Sequence, residues 1–160
     1  MWGDYMLSKK KLIVMVVCVV VIIMAIIITN LVMSYYSQRK TDRSAVEHAK
    51  IFTEKWLNYS NQSDNTYLES IKPLTTDKFF KGYTSAISSI QKITTFKASA
   101  PTSSAYTNSS ANIQSKNGSQ YEMLVVGQQK ISGTGDYKQI KVIVNISKDN
   151  NWLVSNAYIK

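Results

Sequence analysis

The spacing of hydrophobic positions divides the chain into three stretches, each with its own rhythm. The first has none. From Leu12 to Met33, LIVMVVCVVVIIMAIIITNLVM, no residue is charged, and from Leu12 to Ile28 none has a polar side chain if the Cys18 thiol counts as apolar. A helix that is apolar all round has no face to offer water and needs protein or lipid on every side. At ~1.5 Å per residue the stretch is about 33 Å long, against a hydrocarbon core of about 30 Å. Each Val, Ile or Leu near its centre contributes about −0.3 to −0.6 kcal/mol to insertion, which outweighs the weak helix propensity of β-branched residues. The pattern predicts one transmembrane helix over 12–33, with Leu12, Ile22, Ile28 and Met33 spaced along it. A cleaved signal peptide would want an apolar run of about 7 to 15 residues ending in a small-x-small site, and neither condition is met cleanly.

The second stretch steps by three and four. Ala45, Ala49, Phe52, Trp56 and Tyr59 form one helical face, opposite Glu47, Lys50, Glu54 and Lys55. A polar break at 61–65 follows, then a short helix through Tyr67, Leu68 and Ile71, capped by Ser63 or Asp64 and ended by Pro73. Thr75-Thr76-Asp77 opens a third helix whose apolar residues are Phe80, Tyr83, Ile87 and Ile90. The expected core face of these helices is Ala49, Phe52, Trp56, Phe80 and Tyr83. Packing on a sheet accounts for them better than a coiled coil, because the first face lasts barely two heptads.

After Thr94 the period becomes two. Strands are expected over 93–100, which Pro101 stops, then 104–115, 120–131, 137–147 and 152–159. Asn117-Gly118 supplies a strong hairpin signal, and Gly133-Thr134-Gly135-Asp136 and Lys148 to Asn151 supply two more turns. Gly127, alone within an apolar strand, predicts a bulge or bend. Successive hairpins give an antiparallel sheet, so the predicted fold is α+β: a transmembrane helix, then three helices packed on a curved antiparallel sheet of four or five strands.

That order resembles the cone-shaped nuclear transport factor 2-like fold. A short tail, one span, AxxxAxxFxxxWLxY over Ala45 to Tyr59, DxxYLESIKPLTTDKF over Asp64 to Phe79 and a strand-rich end together resemble the VirB-eight-like scaffold subunits of type IV secretion and conjugation systems, in small single-domain form. The resemblance covers nearly the whole chain and rests on architecture and patterning, without an invariant motif. Bitopic proteins of lipid-import or sporulation machines would share it. It implies a scaffold acting through protein-protein contacts outside the membrane, with other membrane proteins of a secretion or conjugation complex as partners and a homo-oligomer within it. The alternative is a membrane-tethered module that binds a lipid or cell-wall ligand in the cone pocket.

Charge sets the expected topology. Lys9, Lys10 and Lys11 abut the apolar run, whereas Arg39, Lys40 and Arg43 lie beyond a collar of Ser34, Tyr35, Tyr36, Ser37 and Gln38. The closer cluster should stay inside, giving a cytoplasmic tail over 1–11, a juxtamembrane linker over 34–43 and an extracytoplasmic domain over 44–160. The chain's net charge is +9, and its one cysteine, Cys18, lies in the span, so the outer domain has no disulfide. That suits a bacterial cell membrane better than a disulfide-stapled eukaryotic exterior. Lysines are scattered and no Arg follows Arg43, so direct nucleic-acid binding is not expected.

Chemistry-bearing residues are sparse. His48, the only histidine, borders an apolar helical face and has no metal partner at ligand spacing. Glu69, Asp77 and Glu122 are the acids that a cone-fold pocket would draw on, and each reads equally as a solvated carboxylate. No catalytic residue, cofactor or metal is expected, and the chain is read as a non-enzyme. Tyr106, Tyr137 and Tyr158 are the candidate interaction surface, since tyrosine combines an apolar body with a polar tip.

Overall fold

A computed structural model describes residues 2–59, 65–94, 103–131 and 136–160, with helical backbone alone for 2–10 and 90–94. The polar break at 61–65 (its first four residues), the Ser63 or Asp64 cap, the strand expected over 95–100 and the Gly133 turn lie outside the described residues. So do the side chains of Lys9, Lys10 and Ile90.

The chain forms two compact units, Met1–Asp42 and Arg43–Lys160. The first unit is helical, and every residue from Lys11 to Lys40 is exposed. Leu12, Ile22, Ile28 and Met33 are each more than half exposed. Among the described residues this is the one helix long and apolar enough to cross a membrane.

Thr41 and Ser44 are good N-cap residues and predict a helix start there, but this is corrected: helix α1 runs without interruption over Trp2–Leu57, and 34–43 is helical. Ser and Thr start helices by accepting a hydrogen bond from an uncapped N–H, but inside a helix that N–H already has a partner four residues back. The hydroxyl then donates to a carbonyl, as Thr41 Oγ1 does to the Ser37 carbonyl (3.0 Å). Arg39 lies over the Tyr35 ring one turn earlier, 4.7 Å from its centroid, an arrangement that favours the helix through the collar.

The second unit is α+β. After the end of α1 come helix α2 (Asn65–Ile71), a 3-10 turn (Lys72–Leu74) that holds Pro73, and helix α3 (Asp77–Thr94). Thr76 caps α3, its Oγ1 accepting from the Phe79 N–H (3.3 Å). Four strands follow, β1 (Ser104–Asn117), β2 (Gln120–Ile131), β3 (Lys138–Lys148) and β4 (Trp152–Ile159), paired antiparallel in chain order. Residues 93 and 94, expected to begin a strand, are the last of α3. Gly118 turns the first hairpin at φ +57°, a conformation that side chains other than Gly and Asn resist.

Residues alternate in and out along β2, burying Tyr121, Met123, Val125, Gly127 and Gln129. With Val142, Val144 and Ile146 of β3 and Trp152 and Val154 of β4, most of these face Ala45, Ala49, Phe52 and Leu57 of α1 in one core. The Trp152 indole N–H donates to Ser44 Oγ (3.1 Å).

β1 changes face midway. Its register against β2 shifts by one residue between Thr107 and Ser110, with Asn108 at φ +55°. Before this bulge the even positions Ser104 and Tyr106 point inward; after it Ser109, Ala111 and Ile113 do. Tyr106 is therefore core, 1% exposed, and its place on the expected interaction surface is corrected. A two-residue period carried unbroken along β1 assigns it the wrong face. The Tyr106 ring passes so close to Gly127 that a Cβ there would overlap it, which is why the strand carries Gly at this point.

Candidate functional site

Helix α3 presents Phe79, Tyr83 and Ile87, one turn apart, to the rest of the unit. Phe79 and Tyr83 join Phe52 and Trp56 of α1 in a continuous aromatic group. Phe52 stacks on Trp56 at 5.7 Å, Phe79 meets Phe52 edge-on at 5.7 Å and stacks on Tyr83 at 6.1 Å, and Tyr83 meets Trp56 edge-on at 6.3 Å. Pairs of this kind are worth about 0.5–1.5 kcal/mol beyond their buried area. The Tyr67 hydroxyl donates to the Trp56 carbonyl (2.7 Å) and lies 2.8 Å from the Tyr83 hydroxyl. Burial pushes both phenols above their ordinary range, so they stay neutral and the network holds at any physiological pH.

Phe52 is fully buried, whereas Trp56, Phe79 and Tyr83 are only half-buried. Their open sides form the floor of a groove of about 300 Å³ between α3 and β4, completed by Lys78, Gly82, Ser155, Asn156 and Ala157. Gly82 sits in the middle of α3, where Gly is about 0.8–1 kcal/mol less favourable than Ala. Nothing lies within 4 Å of where its Cβ would be, and its φ is not positive. Neither backbone conformation nor packing requires this glycine, and it lines the groove.

The other wall is a sheet edge. The Thr76 N–H donates to the Val154 carbonyl (2.9 Å), so the start of α3 covers the first half of that edge. Beyond the bulge at Ser155 the edge is bare. The Lys160 N–H donates back to Lys141 of β3 (2.8 Å), so by strand alternation Ala157 and Ile159 point their N–H and C=O away from the sheet. Among the described residues nothing pairs with them. Tyr158 and Ile159 are 48% and 52% exposed.

The opposite edge is covered at its start, at Ser104 and Tyr106. The Tyr59 N–H donates to the Ser104 carbonyl (3.1 Å) and the Ser104 N–H to the Tyr59 carbonyl (2.7 Å). Asn58 continues the pairing through its side chain, with Nδ2 donating to the Tyr106 carbonyl (2.9 Å) and Oδ1 accepting from the Tyr106 N–H. The two residues after α1 thus bridge the start of β1.

The other residues singled out from sequence are dispersed. Ala49 and Phe52 are buried; Phe80 is half-buried with Lys72 Nζ 5.9 Å from its ring centroid, and its neighbour Phe79 reaches the core instead. Tyr137 is exposed at the start of β3, with Lys130 Nζ 5.8 Å from its ring centroid, and is remote in register from Tyr158. His48 is half-buried, with Nε2 3.3 Å from the Leu74 carbonyl, and burial lowers its pKa. Glu69 is exposed beside Lys72, Nζ 3.7 Å away, and Asp77 is exposed in the first turn of α3. Glu122 lines a polar cleft of about 240 Å³ with Ser115, Asn117, Asn145 and Ser155. Among the described residues no three His, Cys, Asp or Glu side chains converge as metal ligands would.

In the core, the Tyr106 hydroxyl has no hydrogen-bond partner among the described residues, and burial, with the nearby Glu54 charge, pushes its pKa up to about 12. Ser109, the bulge residue, donates to Glu54. Sequence reasoning passed over Phe79, Gly82 and Ala157. Gly82 was the available signal, as a glycine inside an amphipathic helix. No family model, curated protein or solved structure matches this chain.

Proposed function

We propose that this chain is a single-pass membrane protein that acts as an assembly scaffold of a multiprotein machine in a bacterial envelope, with a conjugative or type IV secretion channel as the specific reading. The VirB-eight-like patterning described above supports that reading, as does the order of helices followed by a four-stranded meander, which a nuclear transport factor 2-like cone would share. The N-terminus is cytoplasmic and Arg43–Lys160 lies outside.

One observation carries the proposal: a single helix, α1, contains both an all-round apolar stretch of spanning length and the face on which the second unit builds its core. A tether continuous with a folded domain suits a protein that holds others at one place on a membrane, where confinement raises their effective concentration. An enzyme acting on a diffusible substrate gains little from it.

The test separates tether from domain. Arg43–Lys160 exported behind a cleavable signal, at matched abundance, should fold but fail to support assembly or transfer. Replacing Leu12 to Met33 by an unrelated apolar span should restore function at least in part, because the natural span has a single small-xxx-small pair, Ala25 and Thr29, and no longer stripe of small residues for another helix to pack on. Full function of the released domain would overturn the scaffold reading and favour ligand binding in the cone pocket.

A further inference from the structure

We infer that the bare half of β4 and the groove beneath it form a docking site for an extended, acidic segment of an unlike protein, which adds to the sheet as a fifth strand and sets one apolar side chain over Trp56, Phe79 and Tyr83. The inference rests on the assembly reading and names the chemistry of the partner.

Three observations converge on it. Ala157 and Ile159 direct outward N–H and C=O groups that have no partner among the described residues, from an edge that Thr76 meets at Val154. Natural sheets shield such edges with proline, inward charges or a covering element; β4 from Trp152 to Ile159 has no charged residue and no proline, and is apolar at Tyr158 and Ile159. A strand added here would lie about 4.8 Å from β4, and its inward side chains would hang beside α3.

The second observation is the groove at that place. Gly82 leaves its wall open although nothing within 4 Å obstructs a side chain there, and the floor is three aromatic faces already held by the core and by the Tyr67 hydroxyl. A fixed apolar pocket beside a free backbone edge is the pairing that strand addition uses, main chain for affinity and pocket for selectivity.

The third is charge. Lys78 lines the groove, Lys160 follows the strand with its N–H on the Lys141 carbonyl, and among the described residues no acid lines the groove. A second copy of this chain paired edge to edge would set Lys78 and Lys160 against their own counterparts, which like-charge repulsion disfavours. An acidic segment from a different protein meets the same lysines favourably.

The experiment selects a display library of random decapeptides on the full chain in lipid nanodiscs, and measures the enriched peptides by fluorescence polarisation. Enriched peptides should alternate apolar and acidic residues. Gly82→Leu, which fills the groove and favours the helix, and Ile159→Pro, which removes one outward N–H and no internal bond, should each weaken binding at least tenfold without lowering the melting temperature. N-methylation of alternate peptide amides on one register should abolish binding. No enrichment, enrichment of basic peptides, or binding indifferent to both substitutions would overturn the inference. So would a dimer of the chain, seen by analytical ultracentrifugation, that Ile159→Pro dissociates. Because these readouts need no secretion machine, a negative result here with a successful span replacement would overturn the docking site alone.

Discussion

Two parts of α1 space their apolar residues differently and have opposite fates. Between Leu12 and Met33 every side chain is exposed, while between Ala45 and Leu57 exposure alternates, with Ala45, Ala49 and Phe52 fully buried and Glu47, Ile51 and Lys55 exposed. The backbone is helical in both. Apolar content and periodicity both differ: the upper part interleaves its apolar residues with charges and spaces them by three and four, so one side meets a sheet and the other meets water. The lower part has no spacing to read and suits a solvent that is apolar in every direction. The lesson is that the density and the period of the apolar pattern together declare what the helix will touch.

The comparison can be broken most severely from the lower part. Aspartates at Val16, Val20 and Met24 each cost about 2.5 to 3.5 kcal/mol at the centre of a span, together close to the whole apolar gain of about 5 to 10 kcal/mol from Leu12 to Ile28. The triple variant should be released from membranes by alkaline carbonate, whereas the unaltered chain should stay. A triple variant that remains in the pellet would mean that the stretch is held by protein.

In the upper part the effects should be graded by depth. Phe52→Ala empties a fully buried site and should cost about 3–5 kcal/mol, a large share of an ordinary total of about 5–15 kcal/mol. Trp56→Ala, at a half-buried site on the groove floor, should cost clearly less by chemical denaturation. Equal losses would place Trp56 in the interior and close the groove.

The smallest effect should arise at the border of the face, at His48. Its folded pKa lies below the ordinary 6.5, chiefly because burial disfavours the imidazolium, with the Leu74 carbonyl opposing. Below about 6.5 the unfolded chain therefore binds the proton first. Stability is complete above that pH and falls as pH drops toward the lower folded value. The melting temperature should decline modestly between pH 7 and pH 5, and His48→Gln should flatten the slope. A slope unchanged by the substitution would assign it to other groups.

Much of the sheet was legible in sequence. β2 and β4 occupy the expected residues because each is bounded by turn chemistry, Asn117-Gly118 before one and Lys148 to Asn151 before the other. Thr76 and Asp77 start α3 as their cap chemistry predicts. Failures came where a local signal was overruled by something already in place. Thr41 and Ser44 have the chemistry of a helix start, but a helix had already reached them. Tyr106 reads as surface until the Asn108 bulge reverses the parity of β1. The groove was illegible for a different reason. Gly82 and Ala157 are 75 residues apart, and a glycine in a helix acquires meaning only when the neighbouring wall is known. Phe79 and Phe80 are adjacent, and sequence alone does not decide which of them the core takes.

The central claim is that one helix passes from an environment uniform around its axis to one that differs from side to side. Cysteines placed singly from Val14 to Leu57, in a Cys18→Ala background, and exposed in intact membranes to a water-soluble maleimide would test it most directly. The account predicts no labelling at any position from 14 to 30, and from 45 to 57 a 3.6-residue rhythm with 47, 51 and 55 labelled and 45, 49 and 52 protected. A rhythm of labelled and protected positions within 14 to 30 would show that water reaches one side of the apolar stretch, and would contradict the account.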